Sequence, residues 1–134
     1  MPLRIELKPF ERVIIGNAKI RNGSRRTELM IETHSKVLRE ADIITEGEAN
    51  TPCKRLYFSL EQMYLASDPG ALEATFVAQA GEIMKAAPSM APFIAAIHER
   101  ILDRDFYQAL KRGKELVLYE QGLLAGLDQA PSGT

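Results

Sequence analysis

The chain has 134 residues, 46% of them hydrophobic and 26% charged, with a net charge of −1. That length suits one compact domain or two small units, and the composition excludes a wholly disordered chain. No apolar run reaches the ~20 residues of a membrane span, the first residues alternate rather than forming a signal peptide, and a single cysteine, Cys53, excludes an internal disulfide, so a cytoplasmic protein with no membrane partner is expected.

The first 40 residues read as strands. Leu3, Ile5 and Leu7 alternate with Arg4, Glu6 and Lys8, the two-residue period of a half-buried strand, and Pro9 ends the run because it has no amide proton for a ladder. Arg12 to Ile15 is a second strand, Gly16-Asn17 a turn, and Ala18 to Arg21 a third strand. Asn22-Gly23 fits a tight hairpin, since both residue types tolerate positive φ. Arg26 to Thr33 alternates again, with Leu29 and Ile31 on one face, and Lys36 to Glu40 is a last short strand. Strands this short form a small antiparallel sheet or barrel, whose edges another subunit would cover.

From Asp42 the period becomes helical. Asp42 caps a brief turn, Asn50 or Thr51 caps a helix with Pro52 in its first turn, and Leu56, Leu60, Met63 and Tyr64 form its stripe. Asp68-Pro69 starts a second helix carrying Leu72, Phe76, Ala80, Ile83 and Ala87. Pro88 breaks it, and Ser89 caps a third helix with Phe93, Ile97 and Ile101. Asp105 caps a fourth, with Phe106, Leu110, Val117 and Leu124 on its apolar face. The fold class expected is α+β: an N-terminal antiparallel β-sheet or barrel at 1–44, a C-terminal α-helical bundle at 45–127 and a flexible tail at 128–134.

The charge is split. Residues 1–45 hold nine Lys/Arg and six Asp/Glu, whereas residues 46–134 hold eight and twelve. The first part therefore meets a polyanion more readily. No catalytic set accompanies it. His34 and His98 are isolated, neither belongs to a metal-binding pair, and Cys53 has no neighbouring histidine in the sequence. Asp103 and Asp105 flank a helix break, where capping explains at least one. No enzyme activity, cofactor or metal is expected. Arg4, Lys8, Arg12, Lys19, Arg21, Arg25, Arg26, Lys36 and Arg39 are spread along the strands. They read either as a solvated sheet face that blunts its edges or as an RNA surface. Phe10 is the only aromatic residue before Tyr57, so base stacking is expected to give way to backbone contacts. Lys111-Arg112-Gly113-Lys114 reads as a solvated helix face.

Five segments carry a family resemblance: LRIELKPFERVIIGNAKIRNG from Leu3, RRTELMIE from Arg25, KVLREADIITE from Lys36, TPCKRLYFSLEQMYL from Thr51 and DFYQALKRGKELVLYE from Asp105. In this order, and with the match running to about Leu124, the chain resembles the FlbT family of flagellin-synthesis regulators. That resemblance implies post-transcriptional control through the 5′ untranslated leader of flagellin messenger RNA, with FlaF and flagellin as protein partners. Glu11 to Gly16 followed by Val37 to Glu40 also resembles the small dimeric RNA-binding regulator CsrA. This second resemblance implies a homodimer, with Arg39 as the key RNA contact and Lys8 as a basic residue ending the first strand. Phe10 stands where that family has glycine, and Leu38 where it has histidine. The RNA-binding residues expected are Arg39, Lys8, Arg4, Arg21 and Lys36. An adaptor or chaperone acting on flagellin or FlaF through the helical part is the alternative.

Overall fold

A computed structural model of the chain describes residues 2–128. The fold is α+β, with five strands followed by four helices. The chain divides into two compact units, Met1–Ile43 and Ile44–Thr134.

The first unit contains β1 (Leu3–Leu7), β2 (Arg12–Ile15), β3 (Ala18–Arg21), β4 (Thr27–Ile31) and β5 (Val37–Arg39). They make two antiparallel sheets rather than a closed barrel: β1 pairs with β4, and β2 lies between β3 and β5. Ile5 faces Leu29 across the first pair, and Val13 faces Arg39 across the β2–β5 pair. The alternation read in β1 and β4 sends Ile5, Leu7, Leu29 and Ile31 to one side, where they pack with Val13, Ile15 and Val37. Each such side chain, once buried, contributes about 1.5–3 kcal/mol against water.

Gly16-Asn17 is the tight hairpin, joining paired Ile15 and Ala18, and Gly16 takes the positive φ of +62° that such a loop needs. Asn22-Gly23 is not a hairpin. β3 and β4 belong to different sheets, so this segment carries the chain across from one to the other. The Asn22 amide stabilises the crossing by donating to the carbonyls of Lys8 and Arg25, both at 2.8 Å, and of Leu7 at 3.3 Å.

The second unit holds α1 (Pro52–Leu65), α2 (Glu73–Ala86), α3 (Ala91–Leu102) and α4 (Phe106–Asp128). Thr51 caps α1, its hydroxyl accepting from the Lys54 N–H at 3.2 Å. Asp105 caps α4, accepting from the Gln108 N–H at 3.2 Å. Three expected caps differ. Asp42 is the buried last residue of a 3₁₀ turn, Glu40–Asp42. Asp68 and Ser89 stand before or within further 3₁₀ turns, Pro69–Leu72 and Pro88–Met90, which lead into α2 and α3 without side-chain caps. Prolines that begin a turn already remove an amide that would otherwise need a cap.

α4 packs against α1 and α3, and α2 packs on α1. The buried stripe of α4 runs through Ala109, Leu110, Leu116 and the carboxylate Glu120, whereas Leu124 is exposed. Glu120 accepts from the Thr51 hydroxyl and, at 3.1 Å, from the Cys53 N–H, so it binds the start of α1 to α4. A carboxylate there also meets the positive end of the α1 dipole. Of the expected tail, Asp128 is the last residue of α4, and residues 129–134 lie outside the described residues.

Candidate nucleic-acid interface

Pairing within the β unit decides which of its cations remain available. Arg4 contacts Glu28 at 3.4 Å, Arg12 contacts Glu40 at 3.2 Å, Arg26 contacts Glu6 at 3.8 Å and Arg39 contacts Glu11 at 3.2 Å. Among the described residues, Lys8, Lys19 and Arg25 form no ion pair. Arg21 uses one guanidinium nitrogen to donate to the Phe10 carbonyl at 2.9 Å and keeps its charge uncompensated by a carboxylate.

The backbone brings three of these basic residues to one edge. Lys8, Pro9, Phe10 and Glu11 form a β-turn closed by the Glu11 N–H donating to the Lys8 carbonyl at 3.1 Å. Proline at its second position and a φ of +60° at Phe10 give it the type II pattern, which ordinarily takes glycine at the third position. Phenylalanine there costs about 1–2 kcal/mol. The surrounding bonds hold it in place. The Phe10 N–H donates to the Gly23 carbonyl at 2.9 Å, and the Asn22 N–H donates to the Glu11 carbonyl at 2.8 Å. With the Asn22 amide bridging Lys8 and Arg25, the turn and the 21–25 crossing become one stitched edge bearing Lys8, Arg21 and Arg25. Phe10, the third residue of this turn, is 57% exposed.

Arg39 has another part. Its guanidinium donates to the β1 carbonyl of Glu6 at 2.7 Å and to the Glu11 carboxylate at 3.2 Å, so β5, β1 and the turn are joined within one chain. The Lys8 amide, donating to Glu11 at 2.8 Å, is the main influence that lowers the Glu11 carboxyl below its ordinary value of 4.5; burial opposes it, and the bond and charge of Arg39 and the charge of Lys8 assist. The one carboxylate in the turn is thus paired with an arginine.

The five expected RNA contacts are therefore not one cluster. Lys8 and Arg21 are brought together at the rim. Arg4 lies on the outward face of the β1–β4 pair, engaged by Glu28. Lys36 sits by the Gly16 hairpin, its carbonyl accepting the Gly16 N–H at 2.8 Å, at the end of β2–β3 opposite to Arg21. Arg39 is bonded to Glu6 and Glu11 on the β1 and turn side of β5. Arg25, one of the basic residues read as a solvated face or an RNA surface, is not among the five expected contacts, and the spacing of Phe10 does not show its exposure.

The helical unit offers different chemistry. Burial first, and then the charge of Glu120 and its bond to the residue, push the Cys53 thiol up to about 12, leaving it protonated near neutrality. His98 is exposed and stacks on Phe76. Arg112 pairs with Glu115 at 2.7 Å, and Lys111 lies 5.0 Å over the Tyr107 ring, as on a solvated helix face. Among the described residues no three His, Cys, Asp or Glu side chains gather as a metal site, and no helix is long and apolar enough to cross a membrane.

The flagellar protein FlbT family matches residues 3–124. The chain belongs to the FlbT family. Its FlbT relatives include a probable flagellum biosynthesis repressor protein from Bradyrhizobium diazoefficiens, 42% identical across 92% of this chain and 85% of the relative. Another, from Rhodopseudomonas palustris, is 41% identical across 93% of this chain and 99% of that protein. The flagellum biosynthesis repressor protein FlbT of Caulobacter vibrioides is 32% identical across 98% of this chain and 96% of its own length. No solved structure matches.

Proposed function

We propose that this FlbT protein is a cytoplasmic regulator of flagellar synthesis that binds the 5′ untranslated leader of flagellin messenger RNA and changes its translation and stability. Its relatives are named repressors, which supports repression as the direction. The observation that carries the RNA reading is the distribution of charge: Arg12 and Arg39 are engaged in internal ion pairs and Arg4 and Arg26 in exposed ones, while Lys8, Arg21 and Arg25 lie on one stitched edge. Phosphates of a single strand lie against that edge, and Lys19, two residues from Arg21 on the same face of β3, extends the track. Lys8 and Arg21 keep the direct role expected of them. Arg39 becomes a positioning residue that sets the turn and neutralises Glu11. Arg4 and Lys36 serve as outlying phosphate contacts; Arg4 yields its exposed ion pair at small cost, since such pairs are worth about 0–1 kcal/mol. Two copies associate through strand edges left open by the pairing order, the arrangement implied by the likeness of residues 11–16 and 37–40 to CsrA.

A filter-retention assay with the full chain and a labelled flagellin leader transcript tests this reading. The leader is retained, and an equal length of duplex DNA does not compete. A second reading, an adaptor for flagellin or FlaF, is favoured by Leu118, Leu123, Leu124 and Leu127, all exposed on α4. Capture of either protein by the full chain, abolished by Leu124→Glu and Leu127→Glu, together with no leader retained, would replace the RNA reading with the adaptor.

A further inference from the structure

Phe10 combines four features that an accidental surface aromatic does not share. Its ring is more than half exposed. Its φ of +60° is one that a phenylalanine takes only at a cost, yet the turn retains it. Its N–H and carbonyl are both tied, to the Gly23 carbonyl and the Arg21 guanidinium, at 2.9 Å each. Finally, Arg21 bonds its backbone, Lys8 lies two residues before it in the same turn, and Asn22 ties the backbones of Lys8 and Arg25 together, while the one carboxylate of the turn is paired with Arg39. A tied backbone presenting an exposed apolar ring on an edge that carries basic residues suits a ligand that is flat, apolar on its faces and anionic at its edge. An unpaired nucleotide meets that description: the base stacks, and its phosphates reach the surrounding cations.

We infer that Phe10 is a stacking platform for one unpaired base of a single-stranded RNA held at this rim. The inference rests on the RNA reading above and adds a contact that the basic residues alone do not provide. Phosphate contacts hold the strand without regard to sequence, whereas the ring fixes where a base must leave its neighbours. The site therefore prefers unpaired over duplex RNA of equal charge. Against a protein ligand stands the chemistry of the rim, which brings three cations and a single ring rather than an apolar groove.

The chain has no tryptophan, so Phe10→Trp places a sole indole reporter in the turn. Added to the full-length Phe10→Trp protein, an unlabelled single-stranded flagellin leader transcript quenches the indole, with the same midpoint as binding followed by a fluorescein label on that transcript. Phe10→Gly relieves the positive φ and melts at or above the wild-type temperature, while its affinity for the transcript falls about ten-fold, within the range expected for losing one stacked base. Its salt dependence stays that of wild type because no cation has been removed. Wild-type binding that persists unchanged in Phe10→Gly, with no quenching of Phe10→Trp, overturns the platform and leaves the RNA reading standing. Quenching by purified flagellin or FlaF but not by RNA also overturns it and makes Phe10 a protein contact. A wild-type protein that binds no RNA by either readout overturns both this inference and the reading beneath it.

Discussion

Arg39 joins three segments of the β unit through one guanidinium, and the proposed function gives it a positioning role. Its bonds to the Glu6 carbonyl and the Glu11 carboxylate span β5, β1 and the turn, and its own side chain is 43% exposed. Arg39→Ala removes both bonds and leaves Glu11 uncompensated, so the β unit loses about 1 kcal/mol by urea titration. Arg39→Lys recovers little of this, because an ammonium does not reproduce the planar fork. Leader affinity corrected for folded protein then changes less for Arg39→Ala than for Arg25→Ala; the reverse order would restore Arg39 as the principal contact. Glu11 predicts a pH effect. Its folded-state pKa lies below the ordinary 4.5, so its contribution to stability is present above that pH and disappears as pH falls through the lower folded value. The urea midpoint of wild type declines across that interval, and Glu11→Gln gives a flatter profile. At this scale the sequence was least informative: a charge in a strand pattern does not reveal whether a carboxylate will claim it, and nothing in the spacing of Phe10 shows that its ring points to water.

At the scale of elements, spacing was legible and pairing was not. Thr51-Pro52 and Asp105 mark real helix starts because a cap acts on the next three residues. The period of β1 and β4 likewise identifies their buried faces. Period fixes which side of a strand is buried, not which strand lies beside it. That is why Asn22-Gly23 resembled a hairpin while in fact carrying the chain between sheets. The stripe of α4 misled in a related way: Leu124 keeps the apolar spacing after the helix has lost its neighbours, and Glu120 is buried because it caps α1. Gly113 gives a sharp test of the α1–α4 contact. A Cβ there would lie 2.6 Å from Leu60 Cδ1 and 3.3 Å from Tyr57 Cδ1. Gly113→Ala therefore lowers stability by about 1–3 kcal/mol despite the better helix propensity of alanine. Gly122→Ala, at which a Cβ meets nothing within 4 Å, raises it by about 0.5–1 kcal/mol. Thermal melts of the two variants should move in opposite directions.

For the whole molecule, a net charge of −1 conceals a β unit with three more basic than acidic residues, of which Lys8, Arg21 and Arg25 share one stitched backbone edge. Composition announced the split but could not locate the surplus, since ion pairing is a property of the folded chain. The α+β order was readable because hydrophobic period changes from two to 3.6 near residue 42. The most direct measurement is the affinity of the full chain for the single-stranded flagellin leader across a range of salt concentrations. With about four phosphates neutralised, by Lys8, Lys19, Arg21 and Arg25, log affinity falls against log salt with a slope of about −3, and Arg25→Ala, which removes one of these cations, reduces it to about −2. Arg55→Ala, on the exposed side of α1, leaves the slope unchanged. No salt dependence in the wild type, or an equal change with Arg55→Ala, would contradict binding at the β-unit rim.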